Sequence, residues 1–220
     1  MQARFRSDYA GEFVVLESRW SGGKKTQSRE WVANPIENHH ISGRAAAIGS
    51  HADLDRFDFS RLQQHRGGLL SSKKLQTYGT GVIAKDMRLD FAVETSSENL
   101  QALKNLGYCQ QNIVYTTAKN CINSPGEFYL IPFFPRILDI ALLPYLAAFD
   151  GHKEIFMLGY NRDTLVENPT WHEQIRNVVN AYSGTKFYFV GEPTNMYDCW
   201  LEPTNTQTMT YRDFITYCDV

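Results

Sequence analysis

Two short apolar segments that each end at a glycine constrain the fold of this 220-residue chain more than any other feature. They are residues 45–50 (AAAIGS) and residues 154–161 (EIFMLGYN). Continuous apolar runs are typical of buried parallel strands, because helices cover both faces of such a sheet. In open α/β sheets, ligands bind outside the carboxyl ends of the strands, where glycine lets the backbone approach a phosphate or a ribose. The two segments therefore predict a site for a small charged molecule of the nucleotide type.

Other segments extend this pattern into an α/β fold. Further strands are predicted at 69–70, 89–93, 112–116, 128–131 and 186–190, and helices at 98–106, 137–149 (broken or bent near Pro144) and 170–182. This alternation predicts a Rossmann-like, mostly parallel sheet with helices on both faces. Alternating residues around a Ser-Gly-Gly-Lys turn predict an N-terminal β-hairpin. We expect a single domain with an N-terminal β element (1–43), a Rossmann-like core (44–191) and a docked C-terminal tail (192–220).

Composition narrows the class of protein. No apolar run approaches the roughly 20 residues needed to span a bilayer, and residues 1–8 lack the apolar stretch of a secretory signal. We therefore expect a cytoplasmic protein with no membrane partner. The four cysteines are far apart and show no C-x-x-C spacing, so we expect reduced thiols and no metal.

Charge is unevenly distributed along the chain. The first 75 residues contain twelve Lys and Arg against eight Asp and Glu, whereas the remaining residues contain ten against sixteen. A basic face of this kind is suited to the phosphates of a nucleotide or of DNA, although a solvated surface without a partner has the same composition. The residues predicted to contact DNA are Lys24, Lys25, Arg29 and Arg44.

Three stretches, taken together, resemble bacterial sialyltransferases that use CMP-sialic acid. They are residues 46–62, where AAIGS leads to DFSRL, the polar loop 71–73, and residues 151–161. The likeness extends to a wider set of Rossmann-like proteins that includes pterin pyrophosphokinase relatives. The general character of the sequence is also similar to that of uncharacterised proteins of tailed phages. The likeness covers roughly residues 44–191. The resemblance implies a nucleotide-sugar donor and a catalytic histidine, for which His172 lies in a comparable position.

A phage origin would imply the host cytoplasm as location, and a modified base of viral DNA or a glycan as acceptor. Three departures from the sialyltransferase pattern leave catalysis open. The first loop is Gly-Ser-His-Ala-Asp instead of Gly-Asn-Gly-Pro-Ser, and Leu138-Asp139 replaces a Ser-Gly pair. The late strand is followed by Gly-Tyr-Asn instead of Gly-Ile-Asp. The sequence therefore supports two hypotheses: a nucleotide-sugar-dependent glycosyltransferase, or a non-catalytic Rossmann-like protein that binds a nucleotide or a protein partner.

The candidate site residues follow the predicted strands. Asp163 and His172 are predicted to activate an acceptor hydroxyl, because glycosyl transfer needs a general base. Each candidate also has a structural interpretation, as a chain turn, a solvated lysine pair, a helix-capping carboxylate or a surface turn. The residues predicted to bind the donor are Gly49, Ser50, Ser71, Ser72, Lys73, Glu94, Gly159, Asn161 and Arg162.

Overall fold

The structure is a computed structural model that describes residues 12–33, 43–49, 57–64, 75–124, 126–131, 136–162 and 168–219. Its strands are β1 (Glu12–Ser21), β2 (Lys24–Ala33), β3 (Arg44–Ile48), β4 (Gln76–Thr80), β5 (Phe91–Val93), β6 (Ile113–Thr116), β7 (Tyr129–Leu130), β8 (Glu154–Leu158), β9 (Lys186–Val190) and β10 (Thr206–Met209). Its α-helices are α1 (Ser60–Gln64), α2 (Ile83–Asp86), α3 (Ser97–Asn105), α4 (Tyr108–Gln111), α5 (Ala118–Asn123), α6 (Asp139–Phe149), α7 (Trp171–Ala181), α8 (Asp198–Leu201) and α9 (Tyr211–Cys218).

Strands β3 to β10 form one parallel sheet in the order β10-β9-β8-β3-β4-β5-β6-β7. Helices surround the sheet, which confirms the predicted Rossmann-like α/β class. The remaining strands, β1 and β2, form the predicted antiparallel hairpin. It turns at Gly22 and Gly23, which both have positive φ angles, as the tightest hairpin turns require. No helix in the described part of the chain is long and apolar enough to cross a membrane.

By its internal contacts the chain divides into two compact units. Unit 1 comprises residues 1–39 and 94–135, and unit 2 comprises residues 40–93 and 136–220. In unit 2, β3 pairs with β8 on one side and with β4 on the other. The chain continues from β3 to β4 in one direction, and from β8 to β9 in the opposite direction. The strand order therefore reverses between β3 and β8, the two strands that end in the predicted glycine loops.

Helices α6 and α7 supply the apolar cover of unit 2. Helix α6 runs without a break through Pro144, where the sequence predicted a break or a bend, and most of its side chains are buried. In α7 the buried side chains include Ile175, Val178 and Val179. Their spacing of three and four residues places them on one side of the helix.

A buried polar network lies beneath α6. The Tyr78 hydroxyl donates to Asp150 Oδ2 at 2.5 Å and lies 3.0 Å from His152 Nε2. All three side chains are almost completely buried. Asp150 directly follows α6, and His152 precedes β8. The network therefore joins the C-terminal end of α6 to the amino ends of the strands. It lies at the opposite end of the strands from the glycine loops.

The C-terminal helix α9 is held by a second polar cluster. Glu154 accepts hydrogen bonds from Arg44 Nε at 2.8 Å and from the Tyr217 hydroxyl at 2.6 Å. The Arg44 guanidinium also lies over the Tyr217 ring, 4.7 Å from its centroid. Phe214 is fully buried, with its ring centroid 5.1 Å from that of Phe156. The predicted docking of the tail thus has a specific anchor in Glu154.

Acid is expected to weaken this anchor. Burial by itself raises the pKa of Glu154, but the hydrogen bonds from Tyr217 and Arg44 and the charge of Arg44 outweigh it, so the pKa lies below its ordinary value. A carboxyl with a depressed folded pKa stabilises the fold above its unfolded pKa of about 4.3, and this contribution is lost as the pH falls through the folded pKa. Glu154→Gln should therefore flatten the acid limb of a stability–pH curve measured by urea denaturation. The exposed Glu173→Gln is the control, and an equal flattening in both variants would contradict the assignment.

Unit 1 is built around α3, β6 and β7. Leu100 and Leu103 of α3 are buried, as are Val114 and Tyr115 of β6. Asn120 connects the chain segments of this unit, because its side-chain amide donates to the Thr95 carbonyl and to the Thr116 hydroxyl.

Candidate functional site

The two glycine loops lie side by side at the carboxyl ends of β3 and β8. The Gly49 N–H donates to the Leu158 carbonyl at 2.9 Å, so this N–H is bonded within the sheet. A Cβ atom at Gly49 would lie 3.1 Å from the Gly159 carbonyl oxygen and 3.3 Å from Ile140 Cδ1. Gly159 has a φ of 74°, a conformation that L-residues rarely adopt. Glycine is therefore required at position 49 by the close approach of the Gly159 carbonyl, and at position 159 by its positive φ angle.

Tyr160 fills the space beside Gly49. Its ring lies 3.4 Å from where a Gly49 Cβ would be, and its hydroxyl donates to the Ile140 carbonyl at 2.7 Å. The side chain is completely buried, and burial raises the pKa of Tyr160 well above its ordinary value. Tyr160 thus joins the loop after β8 to the first turn of α6, where the carboxylate of Asp139 also lies.

Arg162 connects this loop to the segment that follows β9. Its backbone N–H donates to the Asn195 carbonyl at 2.7 Å, and its Nε donates to the Met196 carbonyl at 2.6 Å. Its Nη2 forms an ion pair with Asp198 at 3.1 Å. The Arg162 side chain is 47% exposed. The neighbouring Asn161 is buried.

His172 lies in the first turn of α7, against Tyr197. The two rings stack with centroids 4.9 Å apart and planes 11° apart. The Arg162 guanidinium carbon lies 5.7 Å from the centroid of the same Tyr197 ring. Within the described residues, no side chain hydrogen-bonds the imidazole nitrogens of His172. Arg162, which was predicted to bind the donor, and His172, which was predicted to be catalytic, therefore both lie against the ring of Tyr197.

A buried hydroxyl lies at the carboxyl end of the neighbouring strand β4. Thr80 is 7% exposed, and its Oγ1 has no hydrogen-bond partner among the described residues. The β3–β4 register pairs Ile48 with Gly79, so Thr80 lies next to Gly49 across the sheet. Leaving a buried hydroxyl without a partner costs about 1–3 kcal/mol, so the Thr80 hydroxyl can gain a hydrogen bond from a water or a ligand at this edge.

The other predicted residues are placed differently. Glu94 belongs to unit 1, where it is buried. Its Oε1 accepts the N–H of Ser96, the residue before α3 begins, at 2.8 Å. Of the predicted DNA contacts, Lys24 is exposed at the hairpin turn, whereas Arg44 is ion-paired with Glu154. The predicted residues that lie outside the described parts of the structure are Ser50, Ser71, Ser72, Lys73 and Asp163, together with the side chains of Lys25 and Arg29 and the predicted strand at 69–70.

Three contributors to this site were missed in the sequence: Thr80, Tyr197 and Trp200. The Trp200 indole N–H donates to the His172 carbonyl at 2.8 Å, which fixes the start of α7. Tyr197 and Trp200 are three residues apart in the tail, a spacing that could have indicated one aromatic face. Among the described residues, no group of three His, Cys, Asp or Glu could hold a metal ion.

Comparisons of the chain with protein-family models, with curated proteins and with solved structures gave no match.

Proposed function

We propose that the chain is a nucleotide-sugar-dependent glycosyltransferase whose donor binds at the carboxyl ends of β3 and β8. One observation supports this best: the strand order reverses between these two strands, and in open α/β sheets ligands bind at such a switch point. The Thr80 hydroxyl at the same edge, which has no hydrogen-bond partner among the described residues, is a second support. It can hydrogen-bond a phosphate or ribose oxygen of the donor.

The chemistry needs a base for the acceptor and positive charge for the leaving nucleotide. The imidazole of His172 is suited to accept the proton of an acceptor hydroxyl. Arg162 has five N–H donors in its guanidinium group, of which Nε and Nη2 are engaged in the described contacts, and the others can bind a phosphate oxygen. Asp163 follows Arg162 directly and is the alternative base. A base of DNA or a hydroxyl of a glycan is the proposed acceptor.

A second candidate function is nucleotide binding without turnover. Tyr160 occupies the space beside Gly49, and the Gly49 N–H is bonded to Leu158. Asp139 places a carboxylate in the first turn of α6, where a phosphate would be repelled. These features reduce the room and the donors for a diphosphate at the switch point, as expected of a site that has lost part of its catalytic machinery.

Titration calorimetry with CMP-, UDP- and GDP-sugars and the corresponding free nucleotides tests the proposal. We expect at least one of them to bind, and Thr80→Val to weaken that binding about tenfold, the effect of losing one hydrogen bond of about 1.4 kcal/mol. The matched control is Thr208→Val, the same change at an exposed position in β10 of the same sheet, which should leave binding unchanged.

The outcomes separate the two candidates. If no nucleotide or nucleotide-sugar binds, both candidates fail. If a nucleotide-sugar binds and mass spectrometry finds a glycosylated product from DNA or glycan acceptors, the transferase is supported. If it binds and no product forms, binding without turnover replaces it.

A further inference from the structure

Unit 1 contains a cavity of about 440 Å³, and none of the residues that line it is among those discussed for the donor. It lies between the end of α3, the short helix α4 and the turn that leads into β7. Pockets that hold small molecules are typically about 300–1,000 Å³, so this cavity is large enough for a ligand. Its lining includes Lys104, Cys109, Gln110, Gln111, Glu127 and Tyr129.

The two charged groups in the lining neutralise each other. Lys104 Nζ lies 2.7 Å from Glu127 Oε2, and it donates a further hydrogen bond to the Ser124 hydroxyl at 3.3 Å. Both charged side chains remain partly exposed, at 28% and 43% respectively. A phosphate or a polyanion would have to compete with the carboxylate of Glu127, so the electrostatics favour a ligand without net charge.

The remaining lining groups favour a ligand rich in hydroxyls. Gln110 and Gln111 each provide an amide with two donors and an acceptor oxygen, and both are exposed at the cavity. Tyr129 is half-buried, with its ring centroid 6.0 Å from that of Tyr115. It adds an aromatic surface whose negative face attracts polarised C–H bonds. Amides, a carboxylate and a tyrosine together match the alternating hydroxyls and C–H faces of a pyranose ring.

We propose that this cavity of unit 1 is a binding site for a neutral saccharide. Hydroxyl pairs of the sugar hydrogen-bond the amides of Gln110 and Gln111 and the carboxylate of Glu127, while Tyr129 contacts its C–H face. The proposal is independent of the donor site in unit 2, because no residue is shared and no nucleotide is required.

Cys109 provides a direct readout of occupancy. Cys109 lines the cavity and is partly exposed, whereas Cys121 and Cys218 are buried, and Cys199, which is partly exposed in unit 2, serves as an internal reference. Burial and the charge of Glu127 raise the pKa of the Cys109 thiol, with Lys104 opposing, so alkylation is best followed at alkaline pH. The rate of modification by N-ethylmaleimide at each cysteine is measured by peptide mass spectrometry.

The probes are maltose, lactose, cellobiose and N-acetylglucosamine at millimolar concentrations, with inorganic phosphate as the charged competitor. We expect at least one saccharide to slow alkylation of Cys109 about tenfold when the site is about 90% occupied, with no change at Cys199. Glu127→Gln should weaken the affinity about tenfold, which at the same saccharide concentration reduces the protection from about tenfold to about twofold. Glu98→Gln, the same change of charge at an exposed position of α3 outside the cavity lining, should retain it.

Three results would overturn the proposal. In the first, no saccharide protects Cys109 more than Cys199. In the second, phosphate protects as well as the best saccharide. In the third, Glu127→Gln and Glu98→Gln behave alike. None of these readouts involves a nucleotide, so they remain informative if the transferase proposal fails.

Discussion

Replacing Trp200 by alanine is expected to lower the free energy of unfolding by about 3–5 kcal/mol. The side chain is fully buried, and it stacks on Phe189 with ring centroids 5.0 Å apart and planes 8° apart. It also makes edge contacts with Trp171 and Tyr197 at 5.2 and 5.0 Å. Truncation would leave a large cavity between α8, β9 and α7. Urea denaturation followed by circular dichroism measures the loss.

Two controls divide this effect into its parts. Trp200→Phe retains most of the aromatic packing and loses the indole N–H bond to the His172 carbonyl, so its cost should be well below that of alanine. Leu201→Ala changes an exposed neighbour on the same helix, and should stay within about 0.5 kcal/mol of the original protein. A Trp200→Ala protein as stable as Leu201→Ala would show that this aromatic cluster does not hold α8 in place.

Several core strands of the fold could be predicted from the sequence, because a strand that is buried on both faces consists of consecutive apolar residues. The strand Lys186–Val190 was predicted with the limits that the structure has, and Glu154–Leu158 lies within the apolar segment recognised at 154–161. Both are almost entirely apolar, as expected of strands that helices cover on two faces. Such a strand can be recognised without knowing which elements pack against it.

Strand β4 was missed because its residues are not apolar, although all five are buried. Some of its polar groups are hydrogen-bonded by residues that are distant in sequence. Asp90 Oδ2, for example, accepts both the N–H and the hydroxyl of Thr77. Gly79 is needed because a Cβ there would lie 2.7 Å from a methyl of Leu89. Contacts with residues distant in sequence therefore stabilise β4. Its sequence has no run or alternation of apolar residues that would predict a strand.

The sequence predicts that the two glycine loops lie at the same edge of the sheet, since both follow apolar strands, and the structure places them side by side there. The side chains that shape this edge come from elsewhere: Tyr197 from the segment after β9, and Thr80 from the unrecognised β4. Their proximity depends on the strand order, which a sequence of strands and helices does not specify. Glu94 was grouped with the donor residues because it directly follows β5, and its carboxylate accepts the N–H of Ser96 just before α3.

If the chain transfers a sugar, replacing His172 is expected to lower kcat by about 10²–10⁴-fold, the usual contribution of a general base. His172→Phe is the informative change. It retains an aromatic ring for stacking on Tyr197 and removes the nitrogen that accepts the proton. The dissociation constant of the donor should stay unchanged, because Thr80 and Arg162 are intact. Turnover by mass spectrometry and donor binding by calorimetry measure the two effects separately.

Asp163→Asn is the matched test of the other candidate base, since it removes basicity with little change in size. Loss of turnover in Asp163→Asn, together with normal turnover in His172→Phe, would assign the proton transfer to the loop after β8 and leave His172 a packing role against Tyr197. Loss in His172→Phe alone would assign it to the first turn of α7. Because Trp200 holds that turn through the His172 carbonyl, Trp200→Phe should then lower kcat as well, while an Asp163 base would be unaffected by it. The pattern across these three variants therefore identifies the base and tests whether the aromatic cluster positions it.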